Sequence, residues 1–173
     1  IRRWKYFRQN GHIPMQFLWT LIYLPLPSIE VIEYYYSNIY RKEGRAHFVA
    51  NPNQAQPGAW QKSQYSYISL FTNLDLINNV IDIGAGYGFL LREINRQHKH
   101  LNLYTSELDT KACQYLSQYG IKNVKFNAIL ELPEFYLCIS WHNLEHFLDP
   151  NDFIKIVKYV LKKMLIFFYK YLI

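Results

Sequence analysis

The fold of this chain is decided by one stretch of sequence, Val80-Ile81-Asp82-Ile83-Gly84-Ala85-Gly86-Tyr87-Gly88-Phe89-Leu90-Leu91. Its first part is an apolar run with one embedded acid, which is typical of a buried β-strand. Three alternate glycines follow, and after them the apolar residues return with helical spacing. Glycine allows a tight strand-to-helix turn and lets backbone N–H groups approach a ligand without an intervening side chain. The stretch therefore predicts the ligand-binding turn of an α/β protein with a doubly wound, mostly parallel sheet.

The spacing of the glycines indicates which ligand this turn binds. A dinucleotide-binding turn has the pattern G-x-G-x-x-G, whereas this loop reads G-x-G-x-G, with Phe89 where the third glycine of that pattern would be. The stretch instead resembles the first motif of class I S-adenosylmethionine-dependent methyltransferases, in which an apolar strand with an acid precedes Gly-x-Gly-x-Gly. The alternatives are an ordinary glycine-rich turn and a nucleotide-binding oxidoreductase.

A second acid, Glu107, follows 23 residues after Gly84. Leu101-Asn-Leu-Tyr-Thr-Ser106 has the composition of a strand and ends at Glu107. In nucleotide-binding βαβ units an acid about 20 residues beyond the glycines binds ribose hydroxyls, and a carboxylate can accept two hydrogen bonds from a vicinal diol. The segment around Glu107 also resembles the second methyltransferase motif, "v-y-g-v-E-p-d". We assign the ribose role to Glu107 and expect Asp109 to be the N-cap of the helix that follows.

A third stretch, Cys138-Ile-Ser-Trp-His-Asn-Leu-Glu-His-Phe-Leu-Asp-Pro150, contains two histidines after a predicted strand. It resembles the segment "H-v-L-E-H-l-x-d-P" that follows the fourth strand of many small-molecule methyltransferases. Ligands of open α/β sheets bind beyond the carboxyl ends of the strands. Histidine titrates near neutral pH and can accept a proton from a nucleophile. His142 and His146 are therefore the predicted catalytic residues, and the alternative for each is a packing or capping role.

The resemblance implies S-adenosyl-L-methionine as the cofactor and a set of residues that would bind it. The glycine loop would surround the methionine part, Asp82 would anchor the loop or the cofactor amino group, and Glu107 would hold the ribose. Asn127 stands near the usual position of an acid that binds the adenine amino group, and its side-chain carbonyl can accept the same hydrogen bond. The predicted cofactor-binding residues are Asp82, Gly84, Ala85, Gly86, Gly88, Glu107 and Asn127.

The N-terminal part of the chain bears on the methyl acceptor. Pro25-Leu-Pro-Ser28 and Tyr35-Tyr-Ser-Asn-Ile-Tyr-Arg41 resemble "P-x-P-s" and "f-Y-s-x-x-Y" in a bacterial methyltransferase group that often acts in sugar, polysaccharide or secondary-metabolite pathways. The resemblance implies a small-molecule acceptor, for example a sugar or polysaccharide precursor. In that group a zinc-binding C-x-x-C precedes this segment, but Gln16 and Trp19 stand at the corresponding positions here. No metal site is predicted.

Strands that alternate with helices predict βαβ units. We expect an N-terminal extension with one helix over residues 1–58 and a Rossmann-like S-adenosylmethionine-binding domain over residues 59–173. The predicted strands are Asn79–Ile83, Leu101–Ser106, Val124–Ala128 and Phe135–Ser140. The predicted helices are Ile29 to about Tyr40, Trp60–Asn73, Phe89–His98, Thr110–Tyr119 and Asp152–Lys162.

The C-terminal part departs from the methyltransferase pattern. Met164–Tyr169 fits a fifth strand, but its apolar residues also continue the helical spacing of the preceding segment. The sequence stops at Ile173, before two further strands that the resemblance implies. We therefore expect a fold incomplete at its C-terminus. A methyltransferase-fold protein that binds a cofactor or partner without turnover is the main alternative to an active enzyme.

Composition is that of a globular domain, with 173 residues of which 50% are hydrophobic and 18% are charged. The net charge is +6, and basic residues near the N-terminus alternate with aromatic ones. That cluster is short and lies outside any nucleic-acid-binding motif, so no nucleic-acid partner is expected. Prolines and lysines interrupt the apolar runs, which predicts no membrane span. Two cysteines are too few for a disulfide framework and are expected to be buried thiols. The sequence shows no signal-peptide pattern, so a cytoplasmic setting is expected.

Overall fold

The part of the chain that the structure describes contains a sheet of five parallel strands, in the order β3-β2-β1-β4-β5. The computed structural model describes residues 28–40, 42, 52, 55–141, 143, 146–147, 149–160 and 167–168. The strands are β1 (Asn79–Ile83), β2 (Asn102–Ser106), β3 (Lys122–Asn123), β4 (Leu137–Ile139) and β5 (Phe167–Phe168). From β1 to β3, each new strand is added on one side of β1, whereas β4 and β5 are added on the other side. The order of the strands across the sheet therefore reverses between β1 and β4. The carboxyl ends of these two strands are where ligands bind in open α/β sheets.

The helices connect the strands as the alternating pattern predicts, and the doubly wound, mostly parallel α/β fold is confirmed. Two 3₁₀ segments, Leu74–Leu76 and Phe126–Glu131, complete the described elements. The helices are α1 (Ile29–Asn38), α2 (Ala59–Phe71), α3 (Phe89–Gln97), α4 (Thr110–Ser117) and α5 (Pro150–Val160).

The apolar residues of the strands pack on both faces of the sheet because alternate side chains of a strand point to opposite sides. Val80 packs with Leu91, Ile94 and Leu116 of the helices on one face. Ile81 and Ile83 pack on the other face, where the cluster includes Phe135, Ile129, Phe153 and Val157. A sheet covered on both faces accounts for the nearly continuous apolar sequence of β1.

One predicted strand is wrong. Val124–Ala128 was expected to be extended, but β3 ends at Asn123 and a 3₁₀ helix occupies Phe126–Glu131. The Val124 N–H still donates to the Thr105 carbonyl (2.9 Å), after which the chain leaves the sheet. Phe126 and Ile129 both pack into the second core cluster. Their spacing of three residues matches the 3₁₀ repeat, so packing favours the helix over the strand.

The structure also decides between a strand and a helix for the C-terminal segment Met164–Tyr169, at the residues it describes. The helix α5 is described to Val160, and Phe167–Phe168 is a strand rather than a continuation of that helix. It pairs in parallel with β4, with Cys138 opposite Phe167 and Ile139 opposite Phe168. Elsewhere the predicted elements match in type, with ends that differ by a few residues. Cys138 is buried as expected, but Cys113 is only half-buried.

Several predictions from the sequence fall on residues outside the described part, among them the N-terminal basic cluster, the positions Gln16 and Trp19, the prolines of the P-x-P-s motif, and His142. Among the helices of the described ranges, none combines the length and apolar character needed to cross a membrane.

Candidate active site

The glycine loop (residues 84–88) connects β1 to α3 and adopts a conformation that requires glycine. Gly84, Gly86 and Gly88 have φ angles of +77°, +61° and +59°, in the left-handed region that other residues rarely adopt. A Cβ atom on Gly84 would lie 2.6 Å from the Asn143 side chain, and one on Gly88 would overlap Leu116 of α4. The three alternate glycines are thus explained by backbone conformation and, at two positions, by close packing.

Glu107 closes this loop from the end of β2. Its Oε2 accepts a hydrogen bond from the Gly86 N–H (2.7 Å), and its Oε1 accepts from the N–H groups of Leu108 and Asp109 (2.9 Å each). The Glu107 N–H in turn donates to Asn123 Oδ1 (2.9 Å). The acid at the end of the second strand is therefore bonded directly to the glycine loop that follows the first.

Asp82 lies just before the loop and is only 4% exposed. It pairs in the sheet with Thr105 on one side and Ile139 on the other. Among the described residues no group forms a hydrogen bond with its carboxyl. Burial, and after it the charge of Glu107, raises the pKa of Asp82 well above its ordinary value, which favours the neutral form.

A cavity of about 210 Å³ opens at the carboxyl ends of β1 and β2. Strand ends form one side, α1 and the residues after it form another, and the loops after β2 and β4 supply the rest. The lining residues are Ile29, Ile32, Glu33, Tyr36, Tyr40, Ile83, Gly84, Ser106, Glu107, Leu108, Phe126, Asn143, His146 and Phe147. Four of these lining residues belong to α1, so one face of that helix shapes the cavity.

A histidine and a tyrosine face each other in this lining. The Tyr36 hydroxyl lies 2.6 Å from Nδ1 of His146, and the two ring centroids are 5.1 Å apart. Tyr40 packs against both rings, at 4.9 Å from Tyr36 and 6.3 Å from His146. Ser37 Oγ also donates to the Leu108 carbonyl (3.0 Å), which ties α1 to the segment after β2.

Comparison with a solved structure identifies the fold. An S-adenosylmethionine-dependent methyltransferase from Geobacter sulfurreducens, crystallised with S-adenosylhomocysteine, superposes with a TM-score of 0.52 at 13% identity, over 83% of this chain and 54% of that one. This chain has the class I methyltransferase fold.

Two further methyltransferases with bound S-adenosylhomocysteine match less well. One is from Thiobacillus denitrificans (TM-score 0.48, 14% identity, 79% of this chain and 52% of that one). The other is a phosphoethanolamine N-methyltransferase from Haemonchus contortus (TM-score 0.48, 18% identity, 62% and 27%). The chain thus spans about half or less of each of these structures. No protein-family model and no curated protein matches it.

Within the methyltransferase fold, the predicted site residues divide into four groups. Gly84, Glu107 and His146 line one cavity. Asp82 of β1 and the other loop residues, Ala85, Gly86 and Gly88, are near these residues in the chain but do not line the cavity. Asn127 is exposed in the 3₁₀ helix after β3 and does not line the cavity. His142 lies outside the described residues.

Sequence reasoning missed the contribution of α1. Tyr36 and Tyr40 belong to the segment whose resemblance to "f-Y-s-x-x-Y" is noted above, but that pattern alone assigns them no site. Asn143 was also missed, although it belongs to the histidine-containing segment. Its side chain lies against Gly84, and its carbonyl accepts the His146 N–H (3.0 Å).

Proposed function

We propose that this chain binds S-adenosyl-L-methionine at the glycine loop and transfers a methyl group to a small-molecule acceptor in the adjoining cavity. The observation that carries the proposal is the 2.7 Å hydrogen bond between the Gly86 N–H and Glu107. It joins the turn after β1 to the acid after β2, so that a backbone cradle and a ribose-binding carboxylate meet at one place.

The chemistry of the residues around Glu107 suits this cofactor. The Ser106 hydroxyl and the Glu107 carboxylate are polar groups for ribose hydroxyls. Ile83, Leu108 and Phe126 offer apolar surface to a flat base. Asp82 has a buried carboxyl without a hydrogen-bond partner among the described residues. A polar group of the methionine part of the cofactor would form that hydrogen bond, or a backbone group of the loop would form it when the cofactor is bound. Asn127 stays a prediction as the adenine contact.

His146 is the proposed general base, and Tyr36 positions it. When bound, the cofactor supplies a methyl group already activated on a sulfonium, so the protein mainly aligns the acceptor and excludes water. A base is needed when the acceptor is a hydroxyl, such as that of a sugar or phenol. If His146 Nδ1–H donates to the Tyr36 oxygen, Nε2 carries the lone pair that receives the acceptor proton.

Titration calorimetry tests the cofactor. We expect S-adenosylhomocysteine to bind and NAD not to bind at the same concentrations. Heat with NAD but not with S-adenosylhomocysteine would favour an oxidoreductase and overturn the proposal. Binding of S-adenosylhomocysteine without turnover of any acceptor would instead favour the non-catalytic alternative.

Variants of the histidine–tyrosine pair test the catalytic assignment, using methyl transfer to a panel of sugars, phenols and lipids. His146→Gln should lower turnover by about 10²- to 10⁴-fold, the usual contribution of a general base, and Tyr36→Phe should lower it less, because Tyr36 only positions the base. Both should leave the affinity for S-adenosylhomocysteine unchanged. Tyr34→Phe is the matched control, because Tyr34 lies on the same helix but is 60% exposed and does not line the cavity. Full activity in His146→Gln would rule out this base.

A further inference from the structure

A second group of potential metal-binding side chains lies at the amino ends of β1 and β2, whereas the glycine loop lies at the carboxyl ends. Asp75 is in the 3₁₀ turn before β1, and His98 and His100 are in the turn before β2. The two strands start side by side, with Asn79 opposite Asn102. As a result, each of the three residues brings one potential ligand atom within 4.8 Å of the others.

His98 is held between two polar partners. Its Nδ1 lies 2.8 Å from Asp75 Oδ1, and its Nε2 lies 2.9 Å from the Tyr65 hydroxyl. The His98 side chain is 12% exposed, whereas that of Asp75 is 74% exposed. An ionised carboxylate only accepts hydrogen bonds, so a proton stands between Asp75 and Nδ1. The Tyr65 hydroxyl can either donate or accept, so it is compatible with both neutral tautomers of His98.

His100 has its tautomer set by a backbone group. Its Nε2 lies 3.2 Å from the Ile77 carbonyl. Because a carbonyl can only accept, this contact places the ring proton on Nε2 and leaves the lone pair on Nδ1. Metal-binding histidines commonly have the second ring nitrogen fixed in this way by a carbonyl or another polar group.

We propose that Asp75, His98 and His100 bind a divalent transition metal ion, with Zn²⁺ as the ion best matched to two imidazoles and one carboxylate. Such a set with one open position for water is a usual zinc coordination. Ligand atoms around tetrahedral zinc are about 3.4 Å apart, so the exposed Asp75 and His100 need only small side-chain rotations from the present arrangement. The ion takes the place of the proton at His98 Nδ1, and that proton moves to Nε2, where the Tyr65 oxygen accepts it.

The ion would join the turn before β1 to the turn before β2 and so hold the amino ends of two paired strands together. This role is separate from the proposed methyl transfer, because the glycine loop and Glu107 lie at the carboxyl ends of the same strands. Metal binding and S-adenosylhomocysteine binding can therefore be measured independently on one protein.

The test uses the full chain after removal of metals with a chelator, titrated with Zn²⁺ in a calorimeter and with Co²⁺ in a spectrophotometer. We expect one Zn²⁺ per chain and visible Co²⁺ absorption typical of four or five ligands. Asp75→Asn and His100→Gln should each weaken Zn²⁺ binding at least tenfold. Lys99→Gln is the matched control, since Lys99 lies between the two histidines, is exposed, and offers no ligand of the proposed set; its variant should bind like the wild type.

Two results would overturn the proposal. One is the lack of a stoichiometric Zn²⁺ site in the wild-type chain. The other is a site whose affinity is the same in Asp75→Asn and His100→Gln as in the wild type, which would assign the metal to other residues. An unchanged far-ultraviolet circular dichroism spectrum shows that both variants are folded, and Asp75 and His100 are chosen because both are exposed.

Discussion

Glu107 and Asp109 are two acids of the same short segment with different contacts. The Glu107 carboxylate binds the Gly86 N–H and lines the cavity. Asp109 is buried and caps α4, with its Oδ1 accepting from the Ala112 N–H (2.9 Å). This capping role is the one expected from sequence, and it is confirmed. Similar acids two positions apart therefore provide a matched pair for testing which one contacts the cofactor.

We predict that Glu107→Ala weakens S-adenosylhomocysteine binding far more than Asp109→Ala. Loss of a charged acceptor should cost about 1.5–3 kcal/mol, which is roughly ten- to a hundredfold in affinity. Asp109→Ala should leave affinity nearly unchanged, because its backbone N–H still donates to Glu107, and should lower the free energy of unfolding by about 1 kcal/mol through the lost cap. Calorimetry and urea unfolding measure the two effects. Equal losses of affinity would show that the ribose acid is misassigned.

The connection between β1 and α3 depends on close packing against α4. Gly88 precedes the first residue of α3 in the left-handed conformation, and Leu116 of α4 fills the space where a side chain would begin. Gly120, after α4, has a similar φ of +72°, but a Cβ atom there would meet nothing within 4 Å. The two glycines thus share the left-handed backbone conformation and differ only in the packing around them.

We predict that Gly88→Ala destabilises the protein more than Gly120→Ala. A left-handed conformation costs a non-glycine residue about 1–2 kcal/mol, and this is the whole expected effect at Gly120. Forcing a methyl group against Leu116 should add about 1–3 kcal/mol at Gly88. Urea unfolding of both variants beside the wild type provides the comparison. Similar losses in both would mean that α4 moves aside freely and that packing does not determine the loop.

A buried acid in the central strand couples the stability of the entire fold to pH. Asp82 is 4% exposed between β2 and β4, and its pKa is raised mainly by burial and also by Glu107. The folded protein therefore retains a proton on this group at pH values where the unfolded chain has lost it. The stabilisation from that proton is complete below the ordinary carboxyl pKa of about 4. It is lost as pH rises toward the raised pKa of the folded state.

We predict that Asp82→Asn gains stability relative to the wild type as pH rises above about 4. The amide is neutral at every pH, so the difference between the two proteins isolates the titration of Asp82. It should change by up to about 1.4 kcal/mol per pH unit until the raised pKa is reached. Urea unfolding of both proteins at pH 5 and pH 7.5 measures it. A difference that is the same at both pH values would contradict a raised pKa.

Local sequence patterns were sufficient for the parts of the structure that depend on neighbouring residues. The strand Asn79–Ile83 has the bounds predicted for it, because a nearly continuous apolar run and a following glycine mark its length and its end. The three glycines, the acid after β2 and the Asp109 cap also follow from short-range rules of backbone conformation and hydrogen bonding. These rules were enough to predict the doubly wound sheet and to place the ligand at the carboxyl ends of its strands.

Contacts between distant parts of the chain could be seen only in the tertiary structure. Tyr36 and His146 are far apart in sequence, and only the packing of α1 over the strand ends brings them to 2.6 Å. The 3₁₀ helix after β3 replaces a predicted strand because Phe126 and Ile129 find partners in the core, which no local pattern reports. Asp75 likewise meets His98 only because β1 and β2 pair in one register. Short-range patterns determine which way a side chain faces, but the partner that it meets depends on how the whole chain packs.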